Sequence, residues 1–582
     1  MSDGFPKLSE NALKVLEKRY LLKGRSGQVI ETPEDMFWRI ARNVASVDHF
    51  HNDRDAEKEN KEFHQMMRSL EFLPNSPTIM NAGTSMQQLA ACFVIPVEDS
   101  IEQIFDAVKF AAVIHQTGGG TGFSFSRLRP AGDIVASTGG TASGPISFMK
   151  VFDVATDAVK QGGRRRGANM GVLRVDHPDI KEFVRVKEDL KTLSNFNISV
   201  GVTDDFMDRA NEGRRLELVN PRNSTVVRTA HAGSLLNDIC TQAWITGDPG
   251  MIFLDEINRK NPTPRLGEIE STNPCGEVPL LPFEACNLGS VNLDRMLVER
   301  RGEYELDREK LRDTVDAGIR FLDNVIDISK YPLKKIDLIV KGNRKVGLGV
   351  MGFADILVKL GLRYGSRGSE DLADNIIRTI RDQAEETTIA IGEQRGNFPN
   401  IEASDFRSPR RNATVLSIAP TGTISMIANC SSGIEPYFAL YYDKHVLDGE
   451  ILHEMNRFFF ERIARAGFDK RIVLELMSDK GSIHDIDVIP EEIKDIFVTA
   501  HDIEPTQQVR MQSIFQEHVD NAVSKTINLP ESSSVEDVRT IYLLAHELHC
   551  KGITVYREGT KPGQVYTASG RGLECATCGQ LV

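Results

Sequence analysis

Between Ser271 and Leu293 the sequence STNPCGEVPLLPFEACNLGSVNL sets an amide, a thiol and a carboxylate at alternate positions, Asn273, Cys275 and Glu277, with a second thiol at Cys286. In an extended segment these three side chains face one side. One substrate would then meet a hydrogen-bonding amide, a thiol able to exchange a hydrogen atom and a carboxylate able to take a proton. Pro274 and Gly276 shape a tight loop around them. Taken alone, a turn carrying a buried cysteine is the commoner account of the same residues.

Thiols recur along the chain, at Cys92, Cys240, Cys275, Cys286, Cys430, Cys550, Cys575 and Cys578. In a large chain with no secretory signal at its start, this usage suggests buried thiols, a metal site or redox catalysis rather than a disulfide scaffold. Cys575 and Cys578 form a C-x-x-C, which offers two of the four ligands of a structural zinc and reads more simply as an exchangeable dithiol. Cys240, Cys430 and Cys550 read as packing residues, and no residue is assigned as a metal ligand. In TVLSIAPTGTISM (414–426) a β-like run meets a Thr/Gly turn whose N–H and hydroxyl groups suit a phosphate, although many strand-to-helix turns look alike. Arg164, Arg165 and Arg166, between Gly163 and Gly167, form the most basic run, and composition leaves open a solvated loop or an RNA-facing patch.

Elements able to position these groups follow an α/β rhythm. From Ser9 to Asp48 the pattern is helical and amphipathic, with Leu13, Val15, Leu16, Tyr20, Met36, Phe37, Ile40, Ala41 and Val44 on the apolar face. Glycine-rich stretches at 118–123, 137–145 and 161–171 suggest a ligand-handling surface. Asp99 or Ser100 caps a helix with an apolar face of Ile101, Ile104, Phe105, Val108, Ala111 and Ala112, and Glu102 and Gln103 are placed for a capping box. Short β-like runs (Thr414 to Ile418, Ile553 to Tyr556) alternate with long helical ones (Leu372 to Gly392), which indicates an α/β fold. After Gly559 apolar periodicity is lost, as in a mobile tail.

The chain has 582 residues, 40% hydrophobic and 26% charged, enough for a large core. No apolar run approaches the roughly 20 residues that span a bilayer. With neither membrane span nor signal, the expected location is cytoplasmic. Lys and Arg number 70 against 83 Asp and Glu, and the net charge of −13 argues against nonspecific binding to nucleic acid.

Taken together, LPNSPTIMNAGT (73–84), ACFVIPVEDSI (91–101), HQTGGGTGFSFSRLRP (115–130), NPCGE (273–277) and APTGTIS (419–425) resemble the ribonucleotide reductases, collinearly over most of the chain. The resemblance implies a ten-stranded α/β barrel of two five-stranded parallel halves with a central finger loop. It divides the chain into a helical segment (1–70), a catalytic barrel with specificity loops (71–560) and a flexible tail carrying a redox C-x-x-C (561–582).

On this resemblance Cys275 bears a transient thiyl radical that abstracts the 3′-hydrogen of the ribose, Glu277 is general base on the 3′-hydroxyl, and Asn273 binds the sugar hydroxyls. Cys92 and Cys286 deliver two reducing equivalents and leave as a disulfide. Cys575 and Cys578 restore them and are themselves restored by a thioredoxin-like reductant; a flexible segment of about 20 residues reaches roughly as far as the radius of the protein. Substrate contacts are implied for Ser76, Ala91, Cys92, Gly120, Asn273, Glu277, Pro420, Thr421, Gly422, Thr423, Ile424 and Ser425. A deoxynucleotide effector is implied at Asp99, Ser100 and Arg129, under the loop from Asp133 to Gly144, with Arg164 and Arg166 in the loop that reports to the substrate base.

Three classes of the family differ in radical source. Val555 stands where the metal-dependent class carries one of a tyrosine pair, Tyr556 being the single tyrosine, and the tail resembles no glycyl-radical loop. GITVYR (552–557) after VDNAVSKTINLP (519–530) resembles the adenosylcobalamin-dependent class. No D-x-H-x-x-G is present to replace the base of the cobalamin at cobalt. The expectation is a cobalamin-dependent reductase, acting on diphosphates, homodimeric, and without an N-terminal ATP-cone. A large subunit needing a metal-containing partner, or a noncatalytic nucleotide-binding regulator, are the rival readings.

Overall fold

The computed structural model describes residues 7–51, 54–135, 139–159, 167–446, 450–477, 481–560 and 566–568. Five parallel strands, Cys92–Val94, Gly120–Ser124, Asn169–Arg174, Phe196–Val202 and Gly250–Phe253, form one half of a barrel. The second half runs from Ala285–Asn292 to Val346–Met351, through parallel bridges Leu348–Leu416 and Ile418–Val523, to Thr526–Leu529 and Gly552–Arg557. The halves meet antiparallel at both seams, Cys92 opposite Cys286 and Ile252 opposite Gly552. This is the expected barrel of two five-stranded halves. The run from Thr414 to Ile418 enters it by a single bridge to each neighbour.

Helices cover the outside. Leu311, Val315 and Leu322 of the Arg308–Ile328 helix are wholly buried, as are Ile376 and Ile380 of Arg367–Arg395. The N-terminal pattern folds as Glu10–Val15, a π-helical continuation to Tyr20, then Pro33–Ala45 and Ala56–Arg68. Thr32 and Asp35 close a capping box, and Met36, Phe37, Ile40, Ala41 and Val44 are buried as their spacing predicts, whereas Leu13 is exposed.

Of the two cap candidates it is Ser100 that caps the Ile101–Gln116 helix, accepting from the Gln103 N–H, while Asp99 pairs with Arg129. Two expectations are corrected. On that helix Ile104, Ala107, Ala111 and Ile114 are buried, but Ile101 and Phe105 are 62% and 52% exposed, because the helix lies at the surface with only one narrow stripe on the barrel. Beyond Gly559 the chain is not wholly irregular: Tyr566–Ala568 forms a strand antiparallel to Tyr441–Val446, itself paired with Glu450–Met455.

Candidate active site

The finger loop is a hairpin. Ser271–Thr272 pairs with Pro279–Leu280, and residues 273–277 are its tip. Gly276 has φ +84° and its N–H bonds the Asn273 carbonyl at 3.1 Å, so the tip is a turn, not the extended run that alternation assumed. The consequence is a division of the three side chains. Asn273 and Glu277 are buried, at 2% and 3% exposure, while Cys275 is exposed at the apex.

The buried pair converges on a second thiol. Asn273 Nδ2 lies 3.1 Å from Cys92 Sγ, and Cys92 Sγ lies 4.0 Å from Glu277 Oε1. Cys286 stands directly across the strand seam from Cys92, in the geometry where two cysteines can close a disulfide with little backbone movement. All three cysteines are thiols in this structure. Burial raises the pKa of Cys286 far above that of an ordinary thiol, and its neighbour Lys345 only partly offsets this. A protonated Cys286 can therefore supply both hydrogen and electron, whereas a thiolate nucleophile is disfavoured at this position.

Both half-barrels grip the loop. The Glu277 carbonyl accepts from Ser417 Oγ and the Ala522 N–H, both at 2.9 Å, and Asn197 Nδ2 donates to the Pro274 carbonyl at 2.8 Å. Asn273 Oδ1 accepts from the Val278 N–H at 3.0 Å, which fixes its amide orientation. On the first half, a Cβ at Gly122 would lie 1.7 Å from the Thr272 carbonyl oxygen, and one at Gly120 would lie 2.9 Å from the Pro274 ring. Gly120 and Gly122 of the GGGTGF run thus give the Gly120–Ser124 strand a face without side chains, against which the finger loop rests. Asn197, Ser417 and Ala522 escaped the sequence reading because each lies 75 or more residues from its partner and carries no local signature.

Cys275 faces a cavity of about 540 Å³. Its wall includes Met170, Met251, Ile252, Phe438, Val555 and Tyr556, with Asn197, Ser199, Ser432 and Thr554 as polar contacts. An ion pair between buried Lys525 and partly exposed Glu435, at 2.6 Å, stands on the same wall. Tyr437, also there, donates to Asp355 at 2.7 Å. Burial, then the nearby Asp294, pushes the Asp355 carboxyl up to about 6. Pro420 and Gly422 reach this cavity, and Ala419 packs on the cluster containing Cys92 and Cys286.

The reductase barrel-domain family model matches residues 90–410 and 406–556, and the reductase all-alpha domain matches 6–87. The chain belongs to the ribonucleotide reductase family. It is 47% identical to a vitamin B12-dependent ribonucleoside-diphosphate reductase of Thermoplasma acidophilum, over 97% of this chain and 80% of that protein. A protein of the same name from Mycobacterium tuberculosis is 46% identical over 97% of this chain and 81% of its own length. The fold matches the alpha subunit of the Actinobacillus ureae class Id ribonucleotide reductase with TM-score 0.79 and 23% identity, covering 95% of this chain and 98% of that one.

The remaining expected positions of this ribonucleotide reductase fall as follows. Ala91 is laced between Cys286 and Gly120, its N–H bonding the Cys286 carbonyl at 3.1 Å and its carbonyl accepting from Gly120 at 2.8 Å. Ser76 opens the Ser76–Asn81 helix and shares a 2.8 Å hydrogen bond with Tyr20. In the 420–425 turn, Thr421 has φ +55° and its hydroxyl accepts from the Gly433 N–H, Thr423 precedes a helix that begins at Ile424, and Ser425 meets Ser432 at 2.9 Å. Arg129 Nε lies 2.8 Å from Asp99, beside Ser100, and Arg222 holds Asp133 at 3.0 Å. Arg164, Arg166, Cys575 and Cys578 lie outside the described residues.

Proposed function

We propose that this chain reduces ribonucleoside diphosphates to 2′-deoxyribonucleotides for DNA precursor synthesis, by thiyl-radical chemistry started from adenosylcobalamin. One observation carries the reading. A single hairpin tip exposes Cys275 while aiming Asn273 and Glu277 at Cys92, which faces Cys286 across a strand seam. The relatives' names supply the cofactor and the diphosphate. Val555 supports the same choice, since the wall of the Cys275 cavity holds Tyr556 without a second tyrosine beside it in sequence.

The residues around Cys275 fit the cofactor. The cavity is of a size to admit the nucleoside portion of the cofactor, the corrin lying outside it; it is walled by apolar side chains with a few polar ones and presents the sulfur directly. Asn197, Ser199, Ser432 and Thr554 are the groups that would hold its nucleoside portion. When bound, adenosylcobalamin supplies the carbon radical that takes the hydrogen atom of the Cys275 thiol.

The chain does the rest. Cys275, as thiyl, takes the 3′-hydrogen of the ribose. Glu277 accepts the 3′-hydroxyl proton, and Asn273, its amide oriented by Val278, holds the sugar hydroxyls. Cys92 and Cys286 give two electrons and two protons, the 2′-hydroxyl departs as water, and a disulfide forms between them. Cys275 returns its hydrogen to C3′, and Glu277 returns its proton to the 3′-oxygen. The 420–425 turn, with Ser76 and Gly120, binds the phosphates. Cys575 and Cys578 regenerate the pair by exchange, drawing on a thioredoxin-like protein.

A deoxynucleotide effector binds at Asp99, Ser100 and Arg129, with Arg164 and Arg166 in the reporting loop, at the interface of a homodimer. The apolar surface of Ile101 and Phe105, with Val154 on the adjacent Pro145–Ala158 helix 70% exposed, supports that interface. No helix among the described residues is long and apolar enough to cross a membrane, which agrees with a cytoplasmic enzyme.

The test is turnover of each ribonucleoside diphosphate and triphosphate with adenosylcobalamin and dithiothreitol, and no second subunit. Diphosphates are expected to be reduced, and Cys275→Ser to abolish reduction while retaining cofactor binding. Native turnover by Cys275→Ser refutes the mechanism; activity only with an added metal-containing subunit refutes the radical source.

A further inference from the structure

The segment from Gly120 to Arg129 touches both the finger loop and the corner assigned above to the effector. At Gly122 its backbone lies against Thr272, and at Arg129 its N–H and guanidinium both bond Asp99. Between these points stands Arg127, and its guanidinium is shared. Nε and Nη2 make a fork on Glu270, at 3.0 and 2.9 Å, and Nη1 bonds Glu98. Glu270 immediately precedes the first finger strand, Ser271–Thr272, and Glu98 immediately precedes Asp99. Among the described residues the ion pairs of Glu98 and Glu270 all go to Arg127.

We propose that Arg127 is a positioning residue that couples effector occupancy at Asp99 and Arg129 to the placement of the finger loop. The proposal rests on the reading of that corner as the effector site. An anionic effector engaging Arg129 competes with Asp99 for its guanidinium and adds negative charge beside Glu98. Arg127 serves Glu98 and Glu270 with one charge, so its hold on the finger stem changes with the charge at the corner. Such differential contact is what coupling requires. The groups are free to respond: Arg127, Glu98 and Glu270 side chains are 36%, 39% and 29% exposed and border an open cavity of about 600 Å³ with Arg174 and Arg222. Lysine cannot replace the fork, because the bidentate geometry belongs to the guanidinium.

The experiment uses the full chain with adenosylcobalamin. Arg127→Gln, Arg127→Lys, Glu270→Gln and the Arg127→Gln/Glu270→Gln double variant are compared for three quantities: equilibrium binding of each deoxynucleoside triphosphate, kcat/KM without effector, and the ratio of kcat/KM with and without effector. Binding and basal kcat/KM are expected to stay within about twofold of the parent, as for surface substitutions. The effector ratio is expected to fall about fivefold in both glutamine single variants, no further in the double variant, and by less in Arg127→Lys. An unchanged ratio in Arg127→Gln overturns the proposal, as does an equal loss with and without effector, which marks a merely structural pair. Asp99→Asn tests the underlying reading separately: if it leaves deoxynucleotide binding intact, the effector corner is misassigned whatever Arg127 does.

Discussion

Gly122→Ala isolates the placement of the finger loop from its chemistry. The new methyl would sit 1.7 Å from the Thr272 carbonyl oxygen, half of ordinary contact, so one backbone must retreat by roughly 1.7 Å. Gly122 pairs in register with Val94 and Met170 on either side, whereas the finger stem opposite is a two-residue ladder. The stem is the softer partner and takes most of the movement. Asn273 and Glu277 follow Thr272 directly, so the groups around Cys92 are displaced by about an ångström. A misplacement of that size costs about 100-fold in rate, or about 2.7 kcal/mol of transition-state stabilisation. Overpacking costs about 1–3 kcal/mol of fold stability, which a chain this size survives. The control is Gly171→Ala on the neighbouring strand, whose methyl meets the flexible end of Met149 at 2.7 Å and the edge of the Phe196 ring at 3.1 Å, with no finger-loop atom among its nearest contacts. Steady-state reduction with adenosylcobalamin and dithiothreitol is measured beside circular dichroism and thermal melting. Gly122→Ala should be folded and slowed about 100-fold, and Gly171→Ala folded and near native. A folded Gly122→Ala within threefold of native rate would refute the claim that this contact sets the loop.

Four further outcomes are expected. In a Cys575→Ser/Cys578→Ser variant, whose tail cannot exchange, one turnover without external reductant should leave a Cys92–Cys286 disulfide, read by differential alkylation and peptide mass spectrometry, because the two face each other in register; a disulfide elsewhere contradicts the assignment. Burial pushes the Lys551 ammonium down to about 7, so between that pH and the ordinary lysine value the unfolded chain binds the extra proton. Stability of the parent relative to Lys551→Met should then rise from pH 7 to pH 10, as followed by thermal midpoint, and a flat difference removes the basis. Although burial opposes its charge, Arg344, Arg411 and Arg395 hold the Asp323 carboxyl below its usual range. Asp323→Asn strands buried guanidinium charge and should cost about 3–5 kcal/mol in denaturant unfolding; in the parent this contribution is present above the unfolded carboxyl pKa and is lost as pH falls through the folded one. Phe105→Asp should leave a folded monomer by light scattering with a weakened effector response, since the side chain is 52% exposed on the proposed interface; an unchanged dimer rejects that face.

What the sequence disclosed and what it hid divide along the range of the interactions. The residue types and spacing in NPCGE, the cysteine set and the α/β rhythm are local; they admitted thiol and carboxylate chemistry and indicated an α/β fold, whereas the barrel and the residue roles came only from the resemblance of collinear motifs to the ribonucleotide reductases. The orientation of Cys275 was misjudged because alternation presumes extended backbone, and a single left-handed residue, Gly276, turns the tip so that the thiol separates from its two neighbours. The exposure of Ile101 and Phe105 was hidden for a related reason: periodicity reports that a face is apolar, not whether this chain or a second copy covers it.

The glycines give the sharper case. GGGTGF looked like part of a ligand-handling surface because of its turn-rich glycines, yet Gly122 is in a strand and its missing side chain is filled by the Thr272 carbonyl oxygen from 150 residues away. A composition rule cannot tell glycine that admits a ligand from glycine that admits another part of its own chain. On the proposed mechanism this second use serves the chemistry: a thiol that is to carry a radical must be held to a fraction of an ångström, and a hairpin tip is held that firmly when its stem lies on a surface with nothing protruding from it. Bonds from Asn197 on one half-barrel and from Ser417 and Ala522 on the other complete the clamp, so the apex of the loop, though exposed, is fixed from both sides of the barrel.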